Sequence, residues 1–72
     1  MGQKRISNPV RGLRKRLYNV EDAAEYLGRS VSAVRELYYS GKLPVIKVGR
    51  RTQLDIRDMD IWIEQNRIQY DD

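Results

Sequence analysis

Apolar residues return every three or four positions over residues 20–27, where Val20, Ala23, Ala24 and Leu27 line one stripe of a helix. Asn19 stands before that stripe as a capping residue, and Asp22 follows it at capping-box spacing. Glu21, Asp22 and Glu25 suit the positive end of the helix dipole. The pattern predicts a helix over Val20–Leu27, ended by Gly28 in the left-handed position that follows a helix terminus. Ser30 then caps a second helix predicted over residues 31–40, with Val34 and Leu37 inward and Gly41 as its stop. Two short helices joined by a glycine-containing turn of about three residues make a helix-turn-helix.

Beyond Gly41 the period drops from 3.6 to 2. Leu43-Pro44-Val45-Ile46-Lys47-Val48 alternates, with Ile46 and Val48 on one side and Val45 and Lys47 on the other, outward one. Gly49 and Arg50 read as a turn and Arg51-Thr52-Gln53-Leu54 as a returning strand, so a hairpin is expected with Arg50 and Arg51 at its tip. Asp55 caps a last helix predicted over residues 56–66, whose buried face is Ile56, Met59, Trp62 and Ile63. The expected fold class is α+β, mainly α: a compact winged helix-turn-helix of helix, turn, recognition helix, two-stranded hairpin wing and C-terminal helix. Residues 1–16, with Gly2, Ser7, Asn8, Pro9 and Gly12 and no apolar period, read as a flexible basic arm, residues 17–67 as the domain, and residues 68–72 as a short acidic tail.

Charge sharpens this picture. Fourteen Lys and Arg against ten Asp and Glu give a net +4, yet residues 1–16 alone carry six cations and no acid. Residues 29–57 hold seven further cations against Glu36 and Asp55, while the other acids lie in residues 21–25 and 58–72. Clustered rather than average charge is what an elongated polyanion recognises, so double-stranded DNA is the expected partner. Seventy-two residues suffice for one small domain. With neither cysteine nor histidine, a disulfide framework, a zinc site and triad chemistry are not expected; no cofactor is foreseen and no enzymatic activity. No apolar run approaches the roughly 18 residues of a membrane span, so no membrane association is foreseen and the expected location is cytoplasmic, at the nucleoid.

Residues 17–66 resemble the excisionase-type DNA-binding domain, a small winged-helix relative of the MerR-type regulators. The resemblance is carried by Tyr18-Asn19-Val20-Glu21-Asp22-Ala23-Ala24-Glu25-Tyr26-Leu27-Gly28, by Gly41-Lys42-Leu43-Pro44, by Val48-Gly49-Arg50-Arg51, and by Asp58-Met59 leading to Trp62. It implies that the second helix reads the major groove and that the wing meets phosphates or the adjacent minor groove. By position, Arg29, Ser30, Val31, Ser32 and Arg35 then fall at the groove, and Lys47, Arg50 and Arg51 on the wing. Arg11, Arg14, Lys15 and Arg16 are candidate arm contacts in a neighbouring minor groove. The chain departs from the pattern at Val31, Ala33, Glu36 and Thr52, which implies few base-reading groups and a larger share for phosphate contact and DNA shape.

The resemblance further implies a non-enzymatic recombination directionality factor of a mobile element. Several copies would bind neighbouring sites cooperatively, bend the attachment-site DNA and contact a recombinase of the integrase type. A small transcriptional regulator of the same fold is an alternative. A protein-interaction adaptor working through Ile61, Ile68 and Tyr70 is another. Tyr38, Tyr39 and Trp62 are read as packing, and Asp58, Asp60 and Glu64 as dipole and solubility residues.

Overall fold

The computed structural model of the protein describes residues 15–70. Its elements follow the order β1 (Leu17–Asn19), α1 (Val20–Leu27), α2 (Val31–Tyr39), β2 (Ile46–Val48), β3 (Arg51–Asp55) and α3 (Ile56–Gln65). The fold is a winged helix-turn-helix, three helices with a three-stranded antiparallel sheet.

Local chemistry explains each boundary. The Asp22 N–H donates to Asn19 Oδ1 at 2.7 Å, which caps α1, and Gly28 ends it at φ 67° with its N–H turned back to the carbonyls of Ala24 and Glu25. Ser30 Oγ accepts from the Ala33 N–H at 3.1 Å and starts α2 after a connection of only three residues. That helix stops at Tyr39, one residue short of expectation, where Gly41 turns left-handed at φ 80° and the Lys42 N–H bonds back to the Leu37 carbonyl at 2.9 Å. In α3 the cap is Asp55, whose Oδ1 accepts from the Arg57 N–H at 2.9 Å; Asn66 closes the helix from outside through its side-chain amide, bonded to the Trp62 carbonyl at 2.8 Å.

The hairpin forms as expected, with Ile46 opposite Gln53, Lys47 opposite Thr52 and Val48 opposite Arg51 across the two-residue turn Gly49-Arg50. Gly49 alone takes a positive φ there, 62°, the glycine placement of a type II′ hairpin turn. Two features differ from expectation. The sheet has a third strand: β1 pairs on the other edge of β3, with Tyr18 opposite Leu54, so β3 is central. The faces of the hairpin are also exchanged. Leu54 is fully buried, and Thr52 and Lys47 share its side of the sheet, so Lys47 stands on the helix-packed face and Val48 on the outer one. Val45, just before β2, packs against the core, whereas Val48 is 58% exposed.

The core is Val20, Ala23 and Ala24 of α1, Val34 of α2, Leu43 of the connection, Leu54 of β3 and Met59 of α3, with Tyr18, Leu27, Val31, Leu37, Tyr38, Val45, Ile56 and Trp62 packed around them. Every element except β2 therefore contributes to one cluster. A tie from the N-terminal side joins it: Arg16 places its guanidinium on Asp55, Nη2 to Oδ2 at 3.0 Å, and its carbonyl accepts from the Ile56 N–H at 2.8 Å. The Asp55 carboxyl is held below its ordinary value by Arg16 first and by the Arg57 N–H second, against the opposing effect of its burial.

Two outcomes follow from this packing. Leu54→Ala removes a fully buried side chain from the central strand and is expected to lower the stability by about 2–5 kcal/mol in urea unfolding. Since the folded-state pKa of Asp55 lies below the unfolded one, its contribution is full above the ordinary carboxylate range and is lost as pH falls through the lowered folded value. Wild-type protein is expected to lose more stability than Asp55→Asn between pH 6 and pH 2, about the span over which such a carboxyl titrates; parallel unfolding curves would show that the pair contributes nothing.

Candidate nucleic-acid interface

The three-residue turn over residues 28–30 sets α2 against α1, and α2 divides cleanly. Val34 is fully buried; Val31, Leu37 and Tyr38 pack around it. Ser32, Arg35, Glu36 and Tyr39 then occupy the opposite, solvent-facing side at helical spacing. Val31, expected at the groove, is half-buried and packs against the core, since three positions before Val34 puts it on the same face of the helix. Ser30 is exposed at the start of the helix; its Oγ accepts the capping hydrogen bond, which leaves the hydroxyl proton to donate outward. Arg29 is exposed, with its guanidinium 5.7 Å from the centre of the Trp62 ring.

On the wing, Arg50 and Arg51 are exposed at the tip and enter no ion pair among the described residues. Lys47 is exposed as well, and its Nζ donates to Thr52 Oγ1 at 3.0 Å across the hairpin, which steadies its ammonium near the turn. Between wing and α2 runs a groove lined by Arg35, Tyr38 and Tyr39 from the helix and Arg51, Thr52 and Gln53 from β3, with Asn19 and Glu21 at its end. The fold therefore brings Arg35 and Arg51, far apart in sequence, to one groove. Along the other flank of α2, a second groove is lined by Arg29, Glu36 and Lys42 together with Ala33, Leu37 and Tyr39.

Of the four arm candidates, Arg11 and Arg14 lie outside the described residues. Lys15 and Arg16 are engaged within the domain: Lys15 pairs with Asp22 and sits 5.1 Å from the centre of the Tyr18 ring, and Arg16 holds Asp55. Two exposed residues join this surface beyond the expected contacts. Tyr39 does not pack as expected; its ring is 78% exposed, 4.8 Å from that of Tyr38, because residue 39 falls on the face of Ser32 and Glu36, a spacing already visible in the sequence. Lys42 follows the left-handed Gly41, and the reversal of the chain there carries it beside Arg29. Trp62 is half-buried against the core, in line with its helical spacing. No helix among the described residues is long and apolar enough to cross a membrane.

An exposed helix with cations along both flanks, set beside an arginine-tipped hairpin, is the arrangement of a winged helix-turn-helix module built to meet duplex DNA. A family model described as a helix-turn-helix domain matches residues 17–67, and the chain belongs to that family, a DNA-binding one that includes excisionase-type domains. A comparison with curated proteins gives no match, and neither does one with solved structures.

If Arg50 and Arg51 each hold a phosphate, replacing both by alanine weakens duplex binding and flattens the dependence of log K on log salt by about 2. Fluorescence anisotropy over a salt series reads both effects, and an unchanged slope removes the wing from the interface.

Proposed function

We propose that the protein is an excisionase-type accessory factor: a DNA-binding protein that occupies neighbouring sites on the attachment-site DNA of a mobile element, bends that DNA and directs a recombinase. The observation that carries this reading is the family membership of residues 17–67 together with apolar side chains left exposed away from α2 and the wing. Ile61 on α3 and Ile68 and Tyr70 beyond it are all more than half exposed, and Ile61 lies in an apolar depression bordered by Asp60, Glu64 and Gln65. These residues offer a second surface to a recombinase or to a neighbouring copy while α2 and the wing hold DNA.

Energetics favour several copies. One winged module typically buries about 600–1,000 Å² on DNA, too little for tight selection alone. Neighbouring modules that share a bent duplex gain backbone contacts, and these offset a bending cost of order 1–6 kcal/mol. Within each module α2 supplies the base-reading face, Arg35, Arg50 and Arg51 the phosphate contacts, and Ser30 and Ser32 hydrogen-bond donors at the helix start.

A gel-shift titration on duplexes tiled across the gene and the adjoining DNA tests the whole reading. The expected result is a ladder of cooperative shifts on one fragment, resistant to scrambled competitor by about 10³-fold, with mobility that depends on where the site lies in the fragment. A single non-cooperative shift without bending would overturn the accessory-factor reading and leave a simple DNA-binding regulator.

A further inference from the structure

Glu36 is the one acid on the outward face of α2, among Ser32, Arg35 and Tyr39. A carboxylate brought to a polyanion is repelled by each phosphate it nears, so on a reading helix it needs a partner that no phosphate can supply. Among the described residues none is provided: the ion pairs there are Lys15 with Asp22, Arg16 with Asp55 and Arg67 with Glu64, and no described side chain donates a hydrogen bond to Glu36.

Its surroundings limit what that partner is. Arg35 and Arg51 line the groove on the wing side of α2, and Arg29 and Lys42 line the groove on the other flank, where Glu36 also lies. A helix seated in a major groove about 12 Å wide meets a phosphate strand on each flank and base edges at its crest. Cations therefore stand where phosphates run, and Glu36, on the outward face with Ser32 and Tyr39, borders the second groove on the side nearer the crest of the helix. On the major-groove edge the hydrogen-bond donors are the exocyclic amines of cytosine and adenine. Adenine sets its N7 acceptor beside the amine, which opposes a carboxylate; cytosine has no acceptor at that place.

We infer that Glu36 accepts a hydrogen bond from the exocyclic amine of a cytosine, so that α2 selects a C·G pair at one position of its site. Lys42 joins Arg29 in holding the phosphates on that flank, and the two offset the repulsion that the carboxylate brings. The inference rests on the reading that the protein engages duplex DNA through α2, and it names the base that this face selects.

The test is selection of randomised duplexes by the full-length protein and by Glu36→Gln, followed by anisotropy titration of the enriched duplex and of its three single-pair variants. Wild type is expected to enrich cytosine at one position and to prefer it by about tenfold. Glu36→Gln is expected to lose that preference, to accept adenine there, and to bind scrambled duplex more tightly because a negative charge is gone. Lys42→Ala is expected to weaken binding to all duplexes alike and to keep the cytosine preference. Both side chains are exposed, so circular dichroism should be unchanged in either variant. If wild type and Glu36→Gln select the same base at every position, the assignment of Glu36 is overturned while DNA binding stands. If wild type binds no duplex, the DNA-binding reading and this one fall together.

Discussion

Asp55 ends the central strand and begins the last helix, and its carboxylate serves both sides of that junction. It caps α3 through the Arg57 N–H and holds the guanidinium of Arg16, while the Arg16 carbonyl takes the N–H of Ile56. The residue just before it, Leu54, is fully buried and lies opposite Tyr18 of β1. A one-residue slip of β3 itself would turn Leu54 to solvent and move Asp55 off its cap, so this short segment holds the register of the central strand. The direction of the wing and the seat of α3 are thereby coupled. Side chains remote from any nucleic acid decide where Arg50 and Arg51 stand relative to α2.

The division of charge follows the same plan. Ion pairs among the described residues gather at the start of β1 and at the end of α3, where they tie local segments together. Around α2 and the wing, Arg29, Arg35, Lys42, Arg50 and Arg51 stay exposed without an acidic partner among the described residues. Unpaired surface cations add little to folding, and they leave a net positive field for a polyanion to meet. The cations of the proposed interface are thus not the ones that tie the fold together, which matters in a domain this small, where the core has few side chains to spare. Val31 shows the limit of that division, since its place in the first turn of α2 is needed for packing.

The helices were legible because their signals are local. Asn19, Ser30 and Asp55 cap the helices they were expected to cap, and Gly28 and Gly41 adopt the left-handed conformation that ends a helix. The wing was equally plain, from alternation around Gly49. Strand β1 was not: three residues with no alternating pattern become a strand only because Leu54 and Gln53 lie beside them. Tyr39 and Val48 are exposed against expectation, since a ring at the last position of a short helix and a valine at a hairpin tip extend past the core that would cover them.

The sequence by itself determined the order of elements, their caps and stops, the hairpin, and a basic segment spanning α2 and the wing, because propensity, capping and alternation act between residues a few positions apart. Only the tertiary structure decided the rest. It added β1 to the sheet, took Arg16 and Lys15 into the domain, turned Lys47 rather than Val48 to the helix side, and set Arg35 beside Arg51 and Arg29 beside Lys42. Each of these depends on which distant segments share a core, and a buried Leu54 or Met59 settles that by excluding water from every alternative at once.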